Sequence, residues 1–224
     1  MKYSKENTIK AFQRALSQDP AMLYNARCVN WIGGTSDHNS NYSEIIVKEL
    51  LKEENFRKLK SIQRIRRPQT YNPSRDRLKN VRGSNRREEH FARALFRKEL
   101  TTLGEVLNYQ IPLKDKRDRM AGKIDMVSRG THCVYLIELK GPENNETLLR
   151  AVLEIWTYSK QLDEERFLES YDLPPSTPIK PVVLLLPQTR ACSEAWDLKK
   201  RPLTHRLIQK LGVSLFGFDA KKIL

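Results

Sequence analysis

The chain has 224 residues, of which 39% are hydrophobic and 30% are charged, so it can bury a core and is not compositionally disordered. Its 41 lysines and arginines against 27 aspartates and glutamates give a formal net charge of +14, which indicates a polyanionic partner. The longest apolar run, 182–186, is far shorter than the roughly 20 residues of a membrane-spanning helix, and no apolar stretch follows the N-terminal lysines, which predicts no secretory signal. Three widely separated cysteines argue against a disulfide framework and are typical of a reducing, cytoplasmic setting.

Residues 1–80 are predicted to form a mainly helical, basic accessory region. Apolar residues at helical spacing predict one helix over 8–16 and another over 43–56. The intervening stretch 31–41 is rich in Gly, Ser, Asn and Asp, which is typical of a loop. A proline-containing connector then leads to a larger domain over 81–224. The length of the chain fits this division into one substantial α/β domain and a smaller appendage.

Basic side chains are concentrated in residues 57–87, the basic segment, where Asp76 is the single acidic residue. This density is typical of a surface that binds nucleic-acid phosphates, although a solvated linker can have the same composition. A phosphate-binding surface of this kind would make binding depend steeply on salt. Within the segment we predict nucleic-acid contacts from Arg64, Arg66, Arg67, Arg86 and Arg87.

The region 81–224 alternates predicted helices with predicted strands. The helices are predicted from apolar stripes over 86–103, from Asn144 or Asn145 to about 162, and over 193–211. The strands are predicted from β-propensity and apolar runs over 106–113, 123–128, 132–140, 179–186 and 213–218. The order is helix, three strands, helix, strand, helix, strand, which predicts an α/β fold with a mixed sheet.

Two charged side chains lie at the end of the otherwise apolar predicted strand 132–140. Because side chains alternate along a strand, Glu138 and Lys140 lie on the same face. A hairpin through residues 129–130 would bring Asp125 beside Glu138. Two adjacent carboxylates stay ionised only with a cation between them, and hard oxygen ligands at an open strand end suit Mg²⁺ or Mn²⁺. A lysine beside that site can orient water and neutralise charge developing on a phosphate.

Asp125 in one strand, then a Glu-Leu-Lys sequence in the next strand and a helix after it, resembles the PD-(D/E)XK nuclease superfamily. The resemblance covers about residues 86–190 and includes the order of the elements. One departure is Ile124, which stands where the family often has a proline. The resemblance implies a restriction-endonuclease-like αβββαβ core, whose mixed central sheet is flanked by helices.

The resemblance also implies roles for the residues of this site. The implied metal ligands and catalytic residues on the strands are Asp125, Glu138, the Leu139 carbonyl and Lys140. The oxygen donors would hold Mg²⁺ or Mn²⁺, and the lysine would position the attacking water and offset charge in the transition state.

Family members place a further glutamate on the helix before the first strand, as a metal ligand or a partner of metal-bound water. Glu88 or Glu89 stands there in this chain. Glu88 is preferred because it lies three residues before Phe91 and seven before Leu95, on the same helix face. The alternative is a capping box, in which Asn85 and Glu88 only close the start of the helix.

Nucleases of the exonuclease-like branch often carry Gln-x-x-x-Tyr on the helix after the lysine strand. Here the tyrosine is Tyr158, and Glu154 replaces the glutamine. With Arg150 they form a polar stripe at helical spacing, from which Arg150 and Tyr158 could contact nucleic acid. The other interpretation is a surface ion pair between Arg150 and Glu154.

These features predict a Mg²⁺- or Mn²⁺-dependent nuclease that hydrolyses DNA phosphodiester bonds with metal-activated water. Three alternatives stay open: a nuclease that acts on RNA, a non-catalytic nucleic-acid-binding protein that retains the fold, and a structural ion-pair site. Base specificity does not follow from phosphate contacts. Many relatives cut both strands as dimers, so the resemblance admits a homodimer, and the sequence leaves the oligomeric state open.

Overall fold

The structure is a computed structural model that describes residues 2–72, 87–114, 122–141 and 144–218. Its helices are α1 (Lys5–Gln18), α2 (Tyr42–Leu50), α3 (Glu53–Lys60), α4 (Arg87–Leu95), α5 (Leu148–Gln161), α6 (Glu164–Ser170), α7 (Arg190–Trp196) and α8 (Pro202–Leu211). Its strands are β1 (Glu99–Leu100), β2 (Gly104–Pro112), β3 (Lys123–Arg129), β4 (Val134–Lys140), β5 (Ile179–Leu185) and β6 (Ser214–Gly217). None of the helices in these ranges has the length and apolar character needed to cross a membrane.

The strands form one six-stranded mixed sheet in the order β1-β2-β3-β4-β5-β6. The pairings from β1 to β4 are antiparallel, while β5 and β6 add in parallel. The predicted α/β class with a mixed sheet is therefore confirmed. Because β4 and β5 run in the same direction, the loops that follow them leave the sheet at the same edge.

Helices cover the two faces of the sheet. On one face, α4 packs against β2, β3 and β4, and Ala92 shares a buried cluster with Ile137 and Leu139. On the other face, α5 packs against β3, β4 and β5, and Leu136 belongs to the larger buried cluster that includes Trp156. The alternation of apolar residues along β4 thus directs Glu138 and Lys140 toward the side of the sheet where α5 packs.

Apolar side chains of the N-terminal helices belong to that larger cluster as well. Phe12 of α1 and Ile46 of α2 are fully buried members of it. The predicted helix over 43–56 is in fact two helices, since α2 ends at Leu50. At this turn the Asn55 side chain donates a hydrogen bond of 2.9 Å to the carbonyl of Glu49, near the end of α2. The predicted division at residue 80 stays a prediction.

Two predicted helix boundaries in the C-terminal region are wrong. The helix predicted over 86–103 ends at Leu95, because Arg97 adopts a positive φ of 62° and its amide donates to the Val106 carbonyl. Helix α5 is capped by the Thr147 hydroxyl, which accepts a hydrogen bond from the amide of Arg150, and not by Asn144 or Asn145.

The helix predicted over 193–211 is divided into α7 and α8. Pro202 occupies the first turn of α8, where its missing N–H leaves no intrahelical bond unmade. A short helical turn, Leu198–Lys200, connects the two helices. Helix α6 was not predicted from the sequence.

Candidate active site

Asp125 lies at the start of β3, where this strand is flanked by β2 and β4. Met126 pairs with Ile137, so the antiparallel register places Asp125 across from Glu138. Its Oδ2 accepts a hydrogen bond of 2.9 Å from the Leu139 amide, and its Oδ1 accepts one of 2.9 Å from Gln110 Nε2. Both neighbouring strands therefore fix the orientation of this carboxylate.

The ammonium group of Lys140 lies among three carboxylates. Its Nζ is 2.7 Å from Glu138 Oε1 and 2.6 Å from Glu146 Oε2. The third carboxylate belongs to Glu154 on α5, whose Oε2 is 3.4 Å away. Lys140 is 3% exposed and Glu138 is 4% exposed, so these charges are withdrawn from water. We call Asp125, Glu138, Glu146 and Glu154 the acidic cluster.

Burial changes the protonation of this cluster. It raises the pKa of Asp125 to about 7, although the Lys140 charge acts in the opposite direction. Burial, and after it the charge of Asp125, raises the pKa of Glu138 well above its ordinary range. Burial also works against the charged form of Lys140, but the surrounding carboxylates outweigh it and hold the pKa of Lys140 well above its ordinary value. The ammonium therefore stays charged, while the strand carboxylates favour protons over an uncompensated pair of charges.

Polar side chains of α5 contact the carboxylates of this cluster. Tyr158 donates a hydrogen bond of 2.9 Å from its hydroxyl to Glu154 Oε1, and its ring lies edge-on to Tyr24 of the N-terminal region. Tyr158 is 4% exposed, and its predicted contact with nucleic acid stays a prediction. Arg150 pairs with Glu146, at 2.8 Å between Nε and Oε1, which replaces the Arg150–Glu154 pair considered from the sequence.

Of the two glutamates proposed from α4, the structure brings Glu88 to the edge of the site. Its Oε1 accepts hydrogen bonds from the Gly141 amide at 2.9 Å and from Asn144 Nδ2 at 2.7 Å. The charge of Glu88 is one of the causes that raise the pKa of Asp125. Glu89 instead lies 3.7 Å from Arg93 on the same helix. The capping-box alternative falls on Asn85, outside the described residues.

The predicted phosphate contacts in the basic segment have different surroundings. Arg67 is buried, and its guanidinium donates to the backbone carbonyls of Thr70 and Pro112, which commits this side chain to holding the chain together. Arg64 is about half exposed and lies 3.5 Å from Glu164, and Arg66 is exposed. The predicted contacts of Arg86 and of the Arg87 side chain lie outside the described residues.

Sequence reasoning missed two residues of the site. Gln110 reaches Asp125 from β2 with a positive φ of 50°, a backbone conformation that strand periodicity does not predict. Glu146 reaches Lys140 from the loop between β4 and α5. An acidic residue in a loop at the end of the lysine strand is a signal that the sequence does contain.

The donor atoms suit a hard divalent cation. Among the residues that the structure describes, no three acidic, histidine or cysteine side chains converge as a metal-binding group. Mg²⁺, however, is commonly bound through one or two carboxylates, with water and substrate phosphate completing its shell. Asp125 and Glu138 supply two carboxylates on adjacent strands, and burial raises the pKa of both, so a cation beside them would favour their ionised forms. The residues present therefore fit Mg²⁺ or Mn²⁺, with the Leu139 carbonyl as a further candidate donor.

Comparison with known proteins adds no relative. The chain matches no protein-family model, and neither a curated protein nor a solved structure is significantly similar to it.

Proposed function

We propose that this protein is a Mg²⁺- or Mn²⁺-dependent nuclease that hydrolyses DNA, built on a restriction-endonuclease-like core of the PD-(D/E)XK type. The observation that carries the proposal is the meeting of Asp125, Glu138 and Lys140 at the ends of two adjacent strands, with Asp125 bonded to the Leu139 amide. Fixed carboxylates beside a fixed ammonium are what metal-assisted phosphodiester hydrolysis requires.

The electrostatics of the site support a bound cation. A divalent ion between Asp125 and Glu138 would favour their ionised forms, which burial and mutual repulsion otherwise oppose. When bound, the metal would supply an activated water and a Lewis acid for the phosphate. Asp125 and Glu138 would hold it, with Glu88 at the edge of the site as a candidate partner of metal-bound water.

Lys140 has a more limited role than that of a general base. Because its carboxylate partners keep it protonated, it cannot accept a proton from the attacking water at neutral pH. Its ammonium instead orients that water and offsets the negative charge that develops on the phosphate oxygens. Glu146 and Glu154 keep the ammonium in position for this task.

One observation favours the second candidate, a nucleic-acid-binding protein without catalysis. Lys140 is almost completely buried and contacts three carboxylates, as a lysine in a purely structural ion-pair network would. The excess of acidic over basic groups in this network argues for the nuclease, since buried acidic groups without a paired cation do not stabilise a fold.

The test is cleavage of labelled DNA and RNA, single- and double-stranded, in Mg²⁺, Mn²⁺ or EDTA. The wild type should cleave DNA only with the metal, and Asp125→Asn should lower the rate by about 10³-fold or more because the donor pair is broken. The matched control is Asp172→Asn, which makes the same chemical change at an exposed residue whose positive φ of 51° asparagine tolerates, and it should leave the rate unchanged.

A folded wild type that binds DNA but never cleaves it with either metal would contradict the nuclease and leave the binding protein. Cleavage of RNA alone would keep the chemistry and change the substrate. Equal activity of Asp125→Asn and the wild type would remove Asp125 from the reaction. Circular dichroism and the thermal midpoint of Asp125→Asn establish that a loss of activity does not come from unfolding.

A further inference from the structure

A polar cavity lies at the edge of the sheet where β4 and β5 end. It has a volume of about 310 Å³, and its lining includes Asn145 from the loop after β4 and Gln188 from the loop after β5. Cavities of this size accommodate small ligand groups, and ligands of open α/β sheets bind outside the carboxyl ends of parallel strands. Asn145 directly precedes Glu146 of the acidic cluster, so the cavity adjoins the candidate active site.

The two acidic residues of this cavity already have partners. Glu194 accepts a hydrogen bond of 2.9 Å from the Leu148 amide through Oε2, and its Oε1 lies 3.4 Å from Arg201. Asp197 is 3.0 Å from Lys200. Each of these carboxylates is therefore neutralised by its basic partner, and they do not make the cavity negatively charged.

Arg190 is the cation of the cavity that lacks a partner. Within the part of the chain that the structure describes, its side chain forms no ion pair, and its Nε atom is buried without a hydrogen-bond acceptor. Because Arg190 lines the cavity, the terminal N–H groups of its guanidinium can bond the oxygens of an anionic ligand there. In the same ranges, the side chains of Asn145, Gln188 and Ser193 also make no hydrogen bond, so they can donate to the same ligand.

We infer that this cavity binds a backbone phosphate of a nucleic-acid strand, with Arg190 as its charged contact and Asn145, Gln188 and Ser193 as neutral donors. The inference rests on the proposed function for the nature of the partner. Half or more of the hydrogen bonds that proteins make to DNA go to phosphate and sugar, and arginine is well suited to phosphate because its donors can bond two oxygens at once. The cavity thus holds the strand beside the site where Asp125 and Glu138 act on it.

The test measures binding of a fluorescent DNA strand to the full chain in EDTA, where cleavage cannot interfere. Arg190→Ala should weaken binding about three- to tenfold and reduce the slope of log affinity against log salt by about 1. Arg206→Ala is the matched control, because Arg206 is an exposed arginine of α8 and its loss changes the net charge equally. Circular dichroism and the thermal midpoint establish that each variant is folded.

Ser193→Asp keeps the inference testable if Arg190→Ala does not fold. Ser193 is exposed, and a carboxylate there would repel phosphate from the cavity, so binding should again weaken. Equal weakening by Arg190→Ala and Arg206→Ala would overturn the inference, because it would reflect general charge alone. Unchanged binding by Arg190→Ala or Ser193→Asp would also overturn it.

The inference and the proposed nuclease can fail separately. If the wild type cleaves DNA with the metal but Arg190→Ala binds DNA as the wild type does, the nuclease proposal stands and the phosphate subsite is contradicted. Binding that depends on Arg190 in a protein that never cleaves would support the subsite and remove the catalytic proposal.

Discussion

Two buried groups of charges lie near the same edge of the sheet and differ in their balance. In the first, Glu194 accepts the Leu148 amide and pairs with Arg201, whose guanidinium also donates to the Ser43 hydroxyl at 2.9 Å. In the second, one ammonium, that of Lys140, contacts three carboxylates, and Asp125 stands beside them.

This difference distinguishes a structural ion pair from a site whose carboxylates would be stabilised by a bound cation. The first group is balanced one to one and ties the start of α5 to the segment before α8, so its purpose is complete within the protein. The second has more acidic than basic groups in a place closed to water, so its strand carboxylates favour their protonated forms unless a cation binds there. Arg150 offsets part of this charge at Glu146, but Asp125 and Glu138 are left with raised pKa values.

The largest expected effect comes from removing the cation of each group. Lys140→Met should lower the free energy of unfolding by about 3–5 kcal/mol, because it leaves buried carboxylates without their shared partner. Arg201→Met should cost less, about 1–3 kcal/mol, since Glu194 keeps its bond to the Leu148 amide. Urea unfolding at neutral pH measures both variants. A larger loss for Arg201→Met would reverse the ranking of the two groups.

The pH dependence of stability distinguishes the groups next. Asp125 has a folded-state pKa of about 7 against an ordinary value of about 4. Between these two pH values, the folded protein therefore binds more protons at this residue than the unfolded chain does. Stability without metal should therefore fall as pH rises, by about 2 kcal/mol between about pH 5 and 7 from this residue.

Asp125→Asn should remove that share of the slope, and the control Glu194→Gln should keep it. Urea unfolding in EDTA across this pH range is the measurement. Parallel curves for the wild type and Asp125→Asn would show that Asp125 is not a buried acid with a raised pKa.

Strand periodicity was sufficient to predict the centre of this second group. Alternation alone placed Glu138 and Lys140 on one face of β4, and the contact between their side chains confirms it. The antiparallel pairing predicted from a short turn likewise brought Asp125 to the neighbouring strand position. These residues were predictable because strand geometry fixes both the face and the partner of a side chain.

The outer parts of the site depend on features without periodicity. Glu146 reaches Lys140 through the path of a loop, and Gln110 reaches Asp125 from a residue of positive φ. Helix α4 ends at Leu95 and α7 is separated from α8 because of local turns. The apolar pattern of the sequence continues through these turns, so it does not reveal them. Nor does charge density reveal that Arg67 is buried, because that depends on which carbonyls fold around it.

A smaller effect, on the rate of cleavage, tests whether Glu146 positions the Lys140 ammonium. Glu146→Gln keeps the shape of the side chain and leaves Lys140 with two carboxylates, so kcat for cleavage should fall about tenfold, a loss of about 1.4 kcal/mol, with KM nearly unchanged. The control Glu169→Gln alters an exposed pair with Arg166 and should have no effect. If Glu146→Gln changed KM alone, Glu146 would act in substrate binding and not in positioning Lys140.

The most direct test of the proposed metal site is the number of Mn²⁺ ions bound by the protein, counted by electron paramagnetic resonance. We expect the wild type and Glu194→Gln to bind Mn²⁺ at a site that Asp125→Asn loses, because only the second group has carboxylates in excess. Binding of Mn²⁺ by Asp125→Asn equal to that of the wild type, or no binding by the wild type, would contradict a metal site at Asp125 and Glu138.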